Sequence, residues 1–197
     1  MAPKIIVESG ATKSDWRVLG QDGREVKRFL RAGTNVSSMK LEDIKATLTE
    51  AFASEGLEKA AGFYLYTAGV VTPEIADELV NHLRSLAQID EIEINNDLMG
   101  AARGACGHEP GIAAILGTGS NTCFYDGSTL SQKVYSGGYV IGDEGSGASL
   151  GKLFLGLLTG RSVAFRKLRL RDDKMRVISG DSNGFVGYLN CGHLSTS

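Results

Sequence analysis

A three-strand pattern that occurs twice is the feature that most constrains how this chain folds. Each copy has an apolar strand, a glycine-rich polar turn, a second strand, an Asp-Gly turn and a third strand. Gly10-Ala-Thr-Lys-Ser in the first copy matches Gly117-Thr-Gly-Ser-Asn in the second, and Asp22-Gly23 matches Asp126-Gly127. Such turns are typical of β-hairpins. The pattern predicts two related units that each open on antiparallel strands.

Helices and strands alternate in the segment between the two copies. Residues 37–56 have apolar side chains on one helical face, with Ser37 or Ser38 as the expected N-cap and Gly56 as the stop. The segment 72–88 is a second predicted helix, with Thr72 as its N-cap. Short apolar strands separate these helices, which predicts an α/β fold.

The chain divides into three parts on this basis. We expect an N-terminal unit at 1–110 and the start of a second unit at 111–158, made of hairpins and a helix. Residues 159–197 contain a dense basic stretch with no clear helical face, so we expect this tail to be either disordered or poorly packed.

Charge and cysteine content exclude several classes of protein. The chain has 21 basic and 23 acidic residues and a net charge of −2. This charge produces no positive electrostatic potential that would attract nucleic acid or an anionic membrane surface. Its three cysteines lack the spacing of a metal or disulfide site. No signal peptide or membrane-spanning run is evident. We therefore expect a cytoplasmic protein that binds neither nucleic acid nor membrane.

The two glycine-rich turns are candidate phosphate cradles. Glycine lets a phosphate approach the backbone N–H groups, and hydroxyl or ammonium groups beside it can bind the phosphate oxygens. The alternative is that glycine and serine merely suit tight turns, and for either turn alone this is the better interpretation. Two matching turns favour the cradle. The candidate residues are Gly10, Thr12, Lys13, Gly117, Thr118, Gly119 and Ser120.

Three polar residues follow predicted strands, where ligands bind in α/β sheets. Asp97 can accept a proton from an attacking hydroxyl, but an N-cap role for the following helix is the simpler interpretation from spacing alone. Asn35 can bind hydroxyls or serve as a turn residue. Glu8 can orient Mg²⁺ through water or pair with Lys13.

The segment "GGYVIGDEGSGASLGK" combines five glycines between Gly137 and Gly147 with two carboxylates. Glycines let the backbone wrap a small ligand, and Asp143 can hold sugar hydroxyls or the water shell of Mg²⁺. The alternative is a flexible loop before a capped helix. The glycine content favours a functional loop.

Five ordered motifs in residues 4–155 resemble the N-acetylglucosamine kinase and BadF/BadG-type ATPase family, which belongs to the superfamily of sugar kinases, actin and heat-shock ATPases. The motifs are "ESGATKSDW", "AGTNVS", "INNDLMGAARGA", "AILGTGSNT" and "GGYVIGDEGSGASLGK". The resemblance implies a ribonuclease H-like (actin-like ATPase) lobe with a mixed five-stranded sheet and flanking helices, followed by an incomplete second lobe of the same type.

The resemblance also implies the chemistry. The family phosphorylates an amino sugar with Mg-ATP, and a homodimer is compatible with it. Asp97 would take the proton from the sugar 6-hydroxyl, and Thr12 and Thr118 would contact the ATP phosphates from opposite hairpins. Glu8 would act on Mg²⁺ through water. The implied sugar-binding residues are Asn35, Asp97, Gly138, Tyr139 and Asp143.

The family pattern continues beyond this chain, so we expect a truncated member that is inactive if the adenosine-binding part is needed. Two alternatives stay open. One is a BadF-type ATPase that activates a partner enzyme, and the other is a non-catalytic fragment. ATP turnover with and without the sugar separates the three hypotheses.

Overall fold

The computed structural model forms two compact units, Met1–Gly100 and Ala101–Ser197. The sequence predicted the boundary at residue 110. The residues that the structure describes are 2–69, 71–117, 119–134, 136–158, 175–180 and 184–189.

A mixed five-stranded sheet forms the centre of the first unit, in the order β3-β2-β1-β4-β5. The first three strands pair antiparallel, and β4 and β5 continue the sheet in parallel with β1. The strands are β1 (Lys4–Ser9), β2 (Lys13–Leu19), β3 (Glu25–Ala32), β4 (Lys59–Thr67) and β5 (Gln88–Asn96). This arrangement aligns the carboxyl ends of β1, β4 and β5 along one edge of the sheet.

Helices α1 (Leu41–Glu55) and α2 (Pro73–Leu86) share a core with this sheet. Leu48 of α1 and Leu83 of α2 are fully buried in that core. The Trp16 ring stacks on Phe29 with a centroid distance of 5.3 Å and lies 5.6 Å from the Phe63 ring. Burial of these apolar surfaces is the main stabilising contribution in this unit.

The caps of these helices follow the sequence prediction at two ends. Thr72 accepts a hydrogen bond from the Ile75 N–H at 3.4 Å, and Gly56 ends α1 in the left-handed conformation. At the start of α1 the prediction of a serine cap is wrong. Lys40 is the N-cap and makes no side-chain cap bond, because residues 35–39 form a separate turn in which the Asn35 carbonyl accepts the Ser38 and Met39 N–H groups.

The third helix, α3 (Asp97–Cys106), directly follows β5. Its first residues belong to the first unit and its remaining residues to the second. Gly100 of α3 lies so close to Tyr66 that a Cβ added there would be 2.7 Å from the ring. Since no larger residue fits without a shift, this contact fixes the start of α3 against β4.

The second unit repeats the three-stranded meander in a sheet of order β8-β7-β6-β10-β9. Its strands are β6 (Gly111–Leu116), β7 (Ser120–Tyr125), β8 (Leu130–Val134), β9 (Met175–Gly180) and β10 (Gly184–Leu189), and its further helices are α4 (Gly138–Ile141) and α5 (Gly147–Leu158). β10 pairs antiparallel with β6, whereas β4 pairs parallel with β1 in the first unit. None of the helices in the described part of the chain is long and apolar enough to cross a membrane.

Two strands lie in the segment for which the sequence predicted no element. β9 and β10 form an antiparallel pair within 159–197. A hairpin pattern is present in this part of the sequence, since β-branched and aromatic residues flank a turn rich in glycine, aspartate and asparagine. The basic stretch before it obscured this pattern.

Candidate functional site

The first predicted phosphate turn is the tip of the β1–β2 hairpin. Ser9 pairs with Ser14 across the two strands, and the Gly10 N–H donates to the Lys13 carbonyl at 3.0 Å. Thr12 and Lys13 are exposed at this tip. The hairpin therefore places Gly10, Thr12 and Lys13 together at one end of the sheet, as the sequence predicted for its local structure.

The turn that contains Asn35 lies against this hairpin. The Gly33 N–H donates to the Thr12 carbonyl at 3.1 Å, and a Cβ added at Gly33 would lie 2.3 Å from the Gly10 oxygen. The Asn35 Oδ1 accepts the Ser37 N–H at 2.9 Å. Asn35 thus acts as a turn residue through this oxygen. The Asn35 side-chain amide nitrogen makes no hydrogen bond to another described residue, so the Nδ2 group can donate to a ligand.

A buried hydroxyl cluster joins the hairpin, the Asn35 turn and β4. The Thr34 hydroxyl donates to the Ser9 Oγ at 2.8 Å and lies 3.2 Å from the Thr67 Oγ1. All three residues are fully buried. Sequence analysis missed this cluster, although Ser9 and Thr34 flank predicted site residues. From the sequence alone, these residues could not be distinguished from the serine and threonine residues that commonly occur in turns.

Asp97 begins α3 at the carboxyl end of β5, but it is not the cap of the helix. The Asn96 Oδ1 accepts the Met99 N–H at 2.9 Å and thus performs the capping that the sequence assigned to Asp97 as the simpler interpretation. Asp97 is half-buried at the first helical position, where the helix dipole favours a negative charge. A role for Asp97 outside helix capping is therefore open on structural grounds.

Glu8 and Asp97 lie close enough to influence each other electrostatically. Partial burial of the Glu8 carboxylate, followed by repulsion from Asp97 and Asp15, raises the pKa of Glu8 above its ordinary value. Lys13 and Arg17 oppose this rise by attraction. The Glu8 residue as a whole remains exposed. The first unit thus holds two carboxylates at the carboxyl ends of parallel strands, where α/β proteins bind ligands.

The second predicted phosphate turn is the tip of the β6–β7 hairpin. Leu116 pairs with Ser120, and the Gly117 N–H donates to the Gly119 carbonyl at 2.9 Å. The Gly147 N–H at the start of α5 donates to the Gly117 carbonyl at 2.8 Å. Thr118 lies outside the described residues.

Asp143 connects the glycine-rich loop to this second hairpin. It is 8% exposed and adopts a left-handed backbone conformation with φ of 59°. Its Oδ1 accepts the Ser120 N–H at 3.3 Å, and its own N–H donates to the Ser136 carbonyl at 2.7 Å. Because a non-glycine residue at this φ costs energy, the surrounding contacts must hold it there.

Gly138 and Tyr139 lie in the short helix α4 of the same loop. Gly138 has a φ of 67°, and Tyr139 is 67% exposed. The Lys152 ammonium of α5 donates to the Tyr139 carbonyl and lies 5.0 Å from the centre of the Tyr139 ring. Gly138, Tyr139 and Asp143 are therefore presented by one loop whose following helix contacts it.

The predicted site residues that are described fall into two groups, one in each unit. The first unit brings together Glu8, Gly10, Thr12, Lys13, Asn35 and Asp97 at one end of its sheet, and the second holds Gly117, Gly119, Ser120, Gly138, Tyr139 and Asp143 around its first hairpin. The described residues contain no group of three or more His, Cys, Asp or Glu side chains that could hold a metal ion.

Comparisons with known proteins point to sugar kinases. No family model matches the chain. The N-acetylmuramic acid/N-acetylglucosamine kinase of Clostridium acetobutylicum is 27% identical over 153 residues, which are 75% of this chain and 50% of the relative. A solved structure from Porphyromonas gingivalis, provisionally assigned as an N-acetylglucosamine kinase, is 40% identical with a TM-score of 0.72 and is matched over 83% of this chain and 58% of its own.

A second solved structure, from Chromobacterium violaceum and with the same provisional assignment, is 26% identical with a TM-score of 0.61. The match covers 84% of this chain and 61% of that one. The chain thus spans about half to three-fifths of the length of these relatives. The resemblance to N-acetylglucosamine kinases stated from the sequence is confirmed, and so are the predicted α/β fold and its mixed five-stranded sheet.

Proposed function

We propose that this protein belongs functionally with the amino-sugar kinases and transfers the γ-phosphoryl group of ATP to the 6-hydroxyl of a sugar of N-acetylglucosamine type. The main support is the position of Asp97 beside Glu8 at the carboxyl ends of parallel strands, with Asn96 serving as the helix cap. The names of the similar proteins support the same substrate class.

Asp97 is the proposed general base. A carboxylate at the start of a helix is held in a fixed position, and it can accept the proton of a hydroxyl as that hydroxyl attacks phosphorus. Phosphoryl transfer otherwise requires mainly positioning and neutralisation of charge. The protein therefore needs donors for the phosphate oxygens and contacts that orient the sugar.

The hairpin tips are the proposed phosphate contacts. Gly10, Thr12 and Lys13 in the first unit offer backbone N–H groups, a hydroxyl and an ammonium group, which are the donors that phosphate oxygens accept. In the second unit, Gly117, Thr118, Gly119 and Ser120 have the same proposed role.

The sugar contacts proposed from each unit are polar and directional. The Asn35 Nδ2 group can donate to a sugar oxygen while its Oδ1 keeps the turn closed. In the second unit, the Asp143 carboxylate accepts from sugar hydroxyls, and Gly138 and Tyr139 form the wall of the loop. Hydroxyl-directed hydrogen bonds of this kind distinguish sugars more strongly than apolar contacts do.

The exposed Glu8 carboxylate fits a hydrated Mg²⁺ ion that it would contact through water. Mg²⁺ prefers oxygen ligands, keeps several of its waters and is commonly held by one or two carboxylates together with substrate phosphates. Glu8 as the one carboxylate near the ion, with substrate phosphates and water as the other ligands, matches that pattern. When bound, Mg²⁺ supplies neutralisation of phosphate charge. Glu8 would hold it through water.

Substitution of Asp97 tests the proposal. Asp97→Asn keeps the size of the side chain but removes the base, so sugar-dependent ADP release should fall by at least about 100-fold while sugar affinity changes by less than about threefold. Coupled ADP-release assays and calorimetry with N-acetylglucosamine measure the two effects. Asp90→Asn is the matched control, because Asp90 is an exposed carboxylate near the start of β5, the strand that Asp97 directly follows.

The wild-type result separates the alternatives. ADP release that depends on the sugar supports the kinase, and release without sugar supports an ATPase instead. Unchanged turnover in Asp97→Asn would remove Asp97 from the role of base.

A further inference from the structure

The hydroxyl cluster of Ser9, Thr34 and Thr67 is a set of polar groups that the proposed chemistry does not use. The Ser9 Oγ accepts both the Thr34 N–H and the Thr34 hydroxyl, each at 2.8 Å. The Thr67 hydroxyl donates to the Thr34 carbonyl at 2.5 Å. Thr34 thus bonds to the cluster through its amide, its hydroxyl and its carbonyl.

Each member of the cluster adjoins a different functional segment. Ser9 is the last residue of β1 and immediately precedes the hairpin tip at Gly10. Thr34 immediately precedes Asn35. Thr67 is the last residue of β4. The cluster therefore lies where the phosphate hairpin, the sugar turn and the central parallel strand meet.

Backbone hydrogen bonds reinforce the same three-way junction. The Gly33 N–H donates to the Thr12 carbonyl at 3.1 Å, which links the turn to the hairpin. The Ala68 N–H donates to the Ser9 carbonyl at 2.8 Å, and the Val36 N–H donates to the Ala68 carbonyl at 3.1 Å. Neither the hairpin nor the turn can shift alone without breaking several of these bonds.

Because the cluster is buried, each of its hydroxyls must keep a hydrogen-bond partner within the protein. All three side chains are fully buried, and a buried hydroxyl that loses its partner keeps its desolvation penalty. A fully satisfied polar network defines one geometry, whereas apolar side chains of similar size tolerate several. A rigid geometry benefits a site that must hold two ligands in alignment.

We infer that Ser9, Thr34 and Thr67 are positioning residues that make the phosphate hairpin and the Asn35 turn one rigid element. This inference rests on the proposed function for the identity of its ligands. Its consequence is that loss of the cluster weakens the binding of both Mg-ATP and the amino sugar, although none of the three hydroxyls needs to touch either ligand.

Thr34→Val tests the inference, because valine keeps the shape of threonine and removes the hydroxyl. We expect its affinity for Mg-ATP and for N-acetylglucosamine to fall together by about fivefold, as the loss of one hydrogen bond of ordinary strength implies. Thr34→Ser restores a hydroxyl and should stay within about twofold of wild type. Isothermal titration calorimetry with each ligand measures these changes.

Tyr125→Phe is the matched control for the loss of a buried hydroxyl. The Tyr125 hydroxyl donates to the Gly127 carbonyl at 2.8 Å and the side chain is 1% exposed, but it lies in the second unit outside the proposed site. This variant should lose stability and keep both affinities. If Thr34→Val does not fold, Ser9→Ala takes its place, since it removes the shared acceptor with a smaller change in volume.

Amide hydrogen exchange without any ligand tests the rigid element directly. In Thr34→Val the Gly10 and Val36 amides should both exchange faster, because one belongs to the hairpin and the other to the turn, whereas in Tyr125→Phe both should keep their wild-type rates. Faster exchange at Val36 alone, or a loss of sugar affinity without a loss of Mg-ATP affinity, would overturn the inference. If wild type binds neither ligand, the proposed function fails, and the exchange result alone decides the inference.

Discussion

Asn96 and Asp97 are adjacent, but their side chains have different environments. Asn96 caps α3 by accepting the Met99 N–H, whereas Asp97 affects the titration of Glu8 across the end of the sheet. Burial and the repulsion from Asp97 and Asp15 raise the pKa of Glu8. A residue whose charged form is disfavoured in the folded state reduces stability once it ionises. Shifted pKa values that reduce the stability of the folded state in this way are common at functional sites.

Glu8→Gln should therefore stabilise the folded protein at pH 8. The unfolded chain releases the Glu8 proton near the ordinary value of 4.5, and the folded protein releases it at higher pH. The folded state binds more protons between these two values, so the free energy of unfolding falls as pH rises through that window. Thermal midpoints of wild type and Glu8→Gln should differ at pH 8 and converge below about pH 4.

Asp15→Asn is a control of opposite sign. Burial alone would raise the pKa of Asp15, but the hydrogen bond from Arg28 and the attraction of Arg17 outweigh it and lower the pKa. The carboxylate therefore stabilises the fold above its ordinary value of 3.8 and loses this effect as pH falls through the folded value. Asp15→Asn should lower the midpoint at pH 8. A Glu8→Gln midpoint below that of wild type would contradict the proposed carboxylate repulsion.

At the scale of elements, close backbone contacts hold the turns in place. Gly33 packs on the first hairpin, and Gly142 packs on Ser136 so closely that an added Cβ would lie 1.8 Å from the Ser136 oxygen. Asp143 then reaches the second hairpin through its bond with the Ser120 N–H. Each proposed phosphate hairpin is thus fixed to a segment that carries proposed sugar contacts in the same unit.

Gly33→Ala should destabilise the first unit by about 1–3 kcal/mol, because the new Cβ overlaps the Gly10 and Ala11 backbone. Gly104→Ala in α3 is the matched control, since no atom lies within 4 Å of its added Cβ. The control should stabilise the helix by about 0.5–1 kcal/mol. Urea unfolding followed by circular dichroism measures both. Equal effects at the two positions would show that the Gly33 contact does not restrain the turn.

At the scale of the whole molecule, the described parts of the two units differ in how much apolar surface they bury. The core of the first unit packs large side chains from its sheet and both helices, including Trp16 and Phe63. In the described part of the second unit, the buried hydrophobic residues are Ala102, Ala113, Cys123 and Tyr125, while Leu150, Phe154 and Leu155 are exposed. Since buried apolar area is the main source of stability, the first unit should be the more stable one.

Hydrogen exchange resolved along the chain checks this difference. Amides of β1 and β4 should exchange at least about tenfold more slowly than amides of β7, because they become exposed to solvent only when the larger core unfolds. Trp16→Ala should remove that difference, since loss of a buried tryptophan costs about 3–5 kcal/mol. Equal protection of β1 and β7 in wild type would mean that the two units unfold as one.

The sequence by itself determined the first two hairpins and helices α1 and α2, although the cap of α1 was wrong and the pair β9–β10 was missed. Alternation of apolar residues defined the strands, and glycine and aspartate in the turns predicted both hairpins, because turn conformation depends on the residues within the turn. The motifs of these turns were also sufficient to suggest the family resemblance and hence the fold.

Only the tertiary structure decided which side chains act together. The Ser9–Thr34 and Thr34–Thr67 contacts join residues 25 and 33 positions apart, and they depend on the register of β1, β3 and β4. The choice of Asn96 over Asp97 as cap is visible only in the bond between the Asn96 Oδ1 and the Met99 N–H. A hydrogen bond between distant residues requires their strands to be paired first, so no local pattern records it.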